Sequence, residues 1–296
     1  MSISAQDVKK LREMTNAGIM DCKKALQETD GDFEAAVEWL QVKGITKAGK
    51  KADRVAAEGV IGLWTNEAGT EAVLVEVNSE TDFVARNEGF QAFVREVTDA
   101  IGNSTAQTVE DLEHVTVNGV AIPEYTVSKI ATIGENIKVR RIARLSVEEG
   151  TVSTYIHAGD QIGVLVKVEG RSDDEAKTFG RDIAMHAAAM RPTFLSSDEV
   201  DEDVAAKQRE IFEALVREEG KPEKIVPKIV DGKMRKWAQE GSLLDQAYVK
   251  NPDLSVRQHQ DEVGGVRVTA FFRLEVGEGI EKQEDNLADE VAKLQG

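Results

Sequence analysis

A carboxylate and an aromatic stand side by side in Asn78-Ser-Glu-Thr-Asp-Phe-Val-Ala-Arg-Asn87, between a strand pattern and a helix pattern. Two uses fit this stretch. Thr81 or Asp82 can cap a helix by accepting a backbone N–H, with Phe83 tucked inward. Alternatively, a loop-borne aromatic beside a carboxylate can act as a wedge into another protein. The remaining reactive side chains form no constellation. His114, His157, His186 and His259 are dispersed, without a His-Glu-x-x-His pair or a neighbouring nucleophile, so no triad can be drawn. His186 lies beside the helical face of Ile183 and Ala187 and reads as a packing histidine, whereas His157 ends a strand before a glycine turn, where a side chain can face a partner. Cys22 is the single cysteine and falls within the helical pattern Ile19, Cys22, Leu26, which makes it a small core residue; without Cys-x-x-Cys or a Cys/His pair there is no metal framework. Gly44-Ile-Thr-Lys-Ala-Gly49-Lys50 approaches a phosphate loop, but Lys51 replaces the hydroxyl that would bind Mg²⁺ and a helix precedes Gly44 where a strand is needed. Gly277-x-Gly279 lacks the third glycine of a dinucleotide loop. These residues point away from an enzyme and call for no cofactor and no metal.

The elements around these residues divide into several groups. Residues 4–44 read as three short helices: Ser4 caps the first, with Val8, Leu11 and Met14 at helical spacing; Asn16-Ala17-Gly18 breaks it; Cys22, Ala25 and Leu26 point inward on the second; Asp32 caps the third, with Phe33, Val37 and Leu40 inward and Gly44 as its stop. Lys43, Lys47, Lys50, Lys51 and Arg54 then mark a solvated basic connector. From Gly59 the period changes to two, with a strand pair turning at Glu67-Ala68-Gly69, a helix carrying Phe90, Phe93, Val94, Val97 and Ile101, and strands at 137–147, 151–157 and 161–170. A second helix bears Phe179, Ile183, Ala187 and Met190 and ends at Arg191-Pro192. Strands then helix, twice over, predict a pseudo-repeated α+β core.

Between 198 and 237 the series Val204, Gln208, Ile211, Leu215 and Val226, Val230, Met234, Trp237 predict an antiparallel helical hairpin with coiled-coil-like seams. Pro227 leaves the start of its second arm open. A last strand, 266–276, and an acidic helix beginning near Gly277 close the chain.

Composition narrows the classes further. The 296 residues hold 37 Lys+Arg against 54 Asp+Glu, a formal net charge of −17, which opposes direct nucleic-acid binding, since that rests on basic side chains neutralising phosphates. Residues 1–55 carry 10 basic and 9 acidic side chains, leaving 27 and 45 for the rest, so the first segment reads as a separate unit. No stretch reaches the roughly 18–20 apolar residues of a membrane-spanning helix, and no leader pattern precedes Asp7 and Glu13, which together imply a bacterial-type cytoplasm.

Six stretches, in order across nearly the whole chain, resemble the elongation factor Ts family of bacterial type: LREMTNAGIMDCKKAL (11–26), VNSETDFVARNEGFQAF (77–93), IGENIKVRRIA (133–143), YIHAGDQIGVLV (155–166), GKPEKIV (220–226) and FRLEVGEGIEK (272–282). The resemblance implies a guanine-nucleotide exchange factor for the GTPase elongation factor Tu. The implied fold is α+β: a three-helix module similar to ubiquitin-associated domains with its basic connector at 1–53, a core N-subdomain at 54–148, a core C-subdomain at 149–197 and 238–275, both with antiparallel sheets, an inserted coiled-coil hairpin at 198–237, and a C-terminal helical module at 276–296. By position, Thr81, Asp82, Phe83 and Val84 resemble the segment that dislodges Mg²⁺ from the partner. Ile133, Gly134 and His157 resemble core positions near the partner's phosphate loop, and Leu11, Ile19 and Met20 the docking surface of the first module. The family's assembly with its partner implies a homodimer or a 2:2 complex. Asn16, Ile19 and Pro227 depart from the pattern most familiar in the family. An adaptor that uses only the three-helix module, without exchange activity, is the competing reading.

Overall fold

The computed structural model describes residues 3–281 apart from Asn16. The Ser4 hydroxyl accepts the Asp7 amide and opens α1 (Ala5–Thr15). α2 (Ile19–Glu28) and α3 (Phe33–Gly49) follow, the latter capped by the Asp32 carboxylate, which accepts the Ala35 N–H at 3.0 Å. Leu11, Cys22, Ala25, Leu26 and Ala36 are buried where the three helices meet. The expected break at Asn16-Ala17-Gly18 coincides with the α1–α2 junction, although Asn16 itself lies outside the described residues.

Gly44 does not stop the third helix. α3 continues to Gly49 because Gly44 serves a close approach: a Cβ there would stand 3.3 Å from the Ala131 Cβ of a later helix. In the basic stretch the Lys43, Lys50 and Arg54 side chains are exposed as expected, but its backbone is helical to Gly49 and packs on the core. Ala48 is buried, and the Asn136 amide donates to the Ala52 and Arg54 carbonyls at 3.3 and 2.8 Å.

Period-two alternation builds β1 (Glu58–Thr65) and β2 (Glu71–Ser79) as an antiparallel hairpin. One short turn of helix, α4 (Asp82–Ala85), leads to α5 (Glu88–Gly102), which lays Phe90, Phe93, Val94, Val97 and Ile101 on the sheet. A small hairpin, β3 (Thr116–Val117) with β4 (Val120–Ala121), precedes α6 (Ile122–Ile133), and β5 (Lys138–Ser146) completes the sheet in the order β1-β2-β5.

The second half repeats the scheme. β6 (Gly150–Ile156) and β7 (Ile162–Gly170) form a hairpin, and α7 (Asp174–Met190) packs Phe179, Ile183 and Ala187 against it. α8 (Glu202–Glu218) and α9 (Val226–Gly241) project as a helical pair; then β8 (Ala247–Tyr248), β9 (Asn251–Ser255) and α10 (Val256–Val263) lead to β10 (Val266–Glu275) and the order β10-β7-β6. The halves bond reciprocally. The Ile61 amide donates to the Asp160 carbonyl at 2.7 Å and the Val152 amide to the Gly69 carbonyl at 2.8 Å, and each residue of the first half lies 91 positions before its counterpart. Leu74 and Leu165, spaced identically, are buried between the sheets. Two antiparallel sheets flanked by helices make the fold α+β, and the expected repetition of the core is present as an approximate two-fold relation.

The helical pair departs from expectation in its seam. Phe212 and Val216 of α8 pack with Val226, Val230 and Met234, whereas Val204, Ile211 and Leu215 stay exposed. The buried positions lie one residue on, about 100° around the helix. Both stripes are apolar, and α9 covers the one that contains the larger Phe212. Pro227 sits in the first turn of α9, where its missing N–H leaves no helical bond unmade. The acidic helix expected from Gly277 meets a turn through 276–279, and its continuation over 282–296 lies outside the described residues.

Candidate functional site

α4 is held by its first residue. Thr81 is extended and its hydroxyl accepts the Val84 N–H at 3.3 Å, so the capping use of this stretch is realised. Phe83 is not tucked inward: 81% of it is exposed, while Val84 packs half-buried on the core beneath and Ala85 is buried. Asp82 pairs with Arg86 at 3.1 Å across one helical turn. An exposed Phe leaves about 1.5–3 kcal/mol of burial free energy unused in the free chain.

A carboxylate from 54 residues away fixes this turn. Glu135 accepts the Thr81 hydroxyl at 2.7 Å, the Thr81 amide at 3.0 Å and the Glu80 amide at 3.1 Å. Glu80 reciprocates, its carboxylate accepting the Asn136 amide at 2.6 Å and the Arg54 guanidinium at 3.4 Å. Residue 135 follows directly on Gly134, which ends α6 with φ +93, the left-handed value a glycine takes without strain, and whose carbonyl accepts the Lys51 ammonium. Ile133 is half-buried on the same core as Val84. Thr81–Val84 and Ile133-Gly134 are thus one bonded assembly.

His157 reaches the same end of the molecule by another route. It is exposed, with Nδ1 2.9 Å from the Tyr155 hydroxyl, and the turn that follows it is bonded to β1 through Asp160 and Ile61. A cleft of about 610 Å³ separates Asp82 and Arg86 on one wall from Gly159 and Asp160 on the other. Sequence alone gave no reason to single out Glu80, Glu135 or Asn136; their bonds span 26 to 84 positions, beyond any local pattern.

In the first module, Ile19 and Met20 are 54% and 73% exposed and put two adjacent apolar side chains at the start of α2. Leu11 is fully buried beside Cys22 and Leu26, so it belongs to the module's core and not to its exposed surface. Other candidates resolve as packing. The His186 Nδ1 accepts the Val249 amide at 3.1 Å, which puts the proton on Nε2 for Gln246 Oε1 at 2.9 Å. Burial pushes this imidazole below its ordinary value of 6.5, against the opposing effect of Gln246, and it stays neutral. Among the described residues no three His, Cys, Asp or Glu gather as metal ligands, and no helix is long and apolar enough to cross a membrane.

The family model described as Elongation factor TS matches residues 80–278, which run from α4 through β5, the second sheet and the helical pair to the end of β10. Elongation factor Ts of Brucella anthropi is 49% identical over 303 aligned residues, covering 99% of this chain and 98% of that protein. Identity of that extent leaves no part of the described fold outside the match, and the chain belongs to the elongation factor Ts family.

Proposed function

We propose that Thr81–Val84, Ile133-Gly134 and His157 form the face with which this chain, a guanine-nucleotide exchange factor for elongation factor Tu, loosens the bound nucleotide. The observation that carries the reading is Phe83, a large apolar side chain left in water on a turn whose backbone is bonded in place. On binding, Phe83 enters the partner, Asp82 comes beside the Mg²⁺ surroundings and the ion is dislodged. Mg²⁺ bridges the nucleotide's β-phosphate to the GTPase, so its loss weakens GDP. By linkage, a factor that prefers the nucleotide-free form lowers GDP affinity by the same coupling free energy. No covalent bond breaks, and the chain is an exchange factor, not an enzyme. Direction comes from the cell's GTP excess and from removal of the GTP form by aminoacyl-tRNA.

The three-helix module, ubiquitin-associated-like in the proposed reading, docks through Ile19 and Met20, with the basic segment to 53 joining it to the core. The domain boundaries proposed from the sequence serve that division of labour, the helical pair acting as a coiled-coil appendage and 276–296 as a C-terminal module. The setting is cytoplasmic, and the assembly is a homodimer or a 2:2 complex with the partner. An adaptor confined to the first module is not supported, because the family match lies on residues 80–278, outside it. The test is release of a fluorescent GDP analogue from GDP-loaded elongation factor Tu. Addition of the chain should accelerate release in proportion to its concentration until saturation; release at the intrinsic rate would refute the reading.

A further inference from the structure

We infer that Glu135 is a positioning residue for the Asp82-Phe83 turn, presenting Phe83 already ordered. The inference rests on the exchange reading above and adds to it a residue that does not itself need to touch the partner.

α4 has only four residues, too few to hold its own geometry in water, since a helical nucleus costs more than one turn returns. Its order must come from outside. The Glu135 carboxylate supplies it with both oxygens: Oε2 takes the Glu80 and Thr81 amides, and Oε1 takes the Thr81 hydroxyl proton. That hydroxyl has one proton, so committing it to Glu135 turns its lone pairs toward the Val84 N–H, which caps α4. A relay therefore runs from Glu135 through Thr81 to Val84, the residue after Phe83. The acceptor is specific to a carboxylate. A glutamine would put an NH₂ against one set of these donors, and an aspartate is one methylene short. Glu80 and Asn136 return the bond in the opposite direction, so neither loop can turn alone.

The experiment is a double-mutant cycle of Glu135→Ala with Phe83→Ala, read as the maximal rate of stimulated fluorescent-GDP release from elongation factor Tu at saturating factor. Ordering the backbone of a residue or two corresponds to roughly tenfold, so Glu135→Ala should slow maximal release by about that factor. In the Phe83→Ala background it should cause no further slowing. Thr81→Val, which removes the relay's hydroxyl and keeps its shape, should behave in the same way if Glu135→Ala fails to fold. Hydrogen exchange at the Thr81 and Val84 amides should quicken in Glu135→Ala. Equal slowing in both backgrounds would overturn the positioning role while leaving the exchange reading intact. A wild-type chain that releases no nucleotide would remove the exchange reading and this role with it.

Discussion

The Ile61 amide donates to the Asp160 carbonyl at 2.7 Å, which ties the turn after His157, in the second half of the core, to the first strand of the first half. The candidate face is therefore composite. α4 and the α6 terminus come from one half, His157 from the other, and the approximate two-fold relation between the halves brings them to one end.

His157 projects from that turn with Tyr155 as its described hydrogen-bond partner, so His157→Ala should leave the melting temperature unchanged. Loss of a partner contact worth about 1–2 kcal/mol should slow stimulated GDP release by about five- to thirtyfold. Tyr155→Phe, which removes the hydroxyl alone, should slow it less. Stopped-flow release on the three proteins checks the order.

Docking and release should separate. Ile19→Ala with Met20→Ala removes exposed apolar surface from the first module and touches no bond of the core. The half-saturating concentration of the factor should rise, while the maximal release rate and the melting temperature stay near wild type. A titration of release rate against factor concentration gives both numbers.

The helical pair has its own small core of Val216, Val226 and Val230, and its base is held by Trp237 edge-on to Phe194 with ring centres 5.4 Å apart. Replacing residues 202–235 by a short Gly/Ser linker keeps that base. The variant should retain a cooperative melt and much of the exchange rate; an unfolded circular-dichroism spectrum would show that the pair is part of the core.

Acid sensitivity should begin at His186. Its folded pKa lies below the ordinary 6.5, so on acidification the unfolded chain takes up a proton that the folded chain refuses. Stability rises with pH wherever the unfolded state binds more protons, so it should fall as the pH drops below about 6.5. Glu76 follows at lower pH. Burial pushes its carboxyl up, but the Gly277 amide and Arg141 outweigh that and hold it below 4.5, so its contribution is lost only as the pH falls from about 4.5 through that lowered value. Melting curves from pH 8 to well below pH 4 should show the two losses in this order, and an NMR titration of His186 should give a midpoint below 6.5.

Much of this organisation was legible in short-range pattern. The alternation of Val73, Val75 and Val77, the α5 stripe from Phe90 to Ile101 and the caps at Ser4 and Asp32 each depend on neighbours within a few residues, and each lies where its spacing implied. Gly44 misled because a glycine that admits a neighbouring helix looks the same in sequence as one that ends its own. The α8 seam misled because two apolar stripes run along one helix and only the packing of α9 chooses between them. α6 escaped notice: Ile122–Ile133 is rich in β-branched residues and opens on Ala121 with no side-chain cap. At the candidate face the Asp-Phe pair was visible, but which way Phe83 points was not, since the turn that carries it is bonded to Glu135, 54 residues from Thr81.

The central claim is that Phe83 is an exposed wedge, buried only in the complex. Thermal melting and stimulated GDP release measured on one sample of Phe83→Ala test it directly. With 81% of the side chain exposed, the melting temperature should barely move. Loss of about 1.5–3 kcal/mol of burial in the complex should slow release by roughly ten- to a hundredfold. A large drop in melting temperature with normal exchange per folded molecule would contradict the wedge, because truncating a core Phe costs about 3–5 kcal/mol of stability.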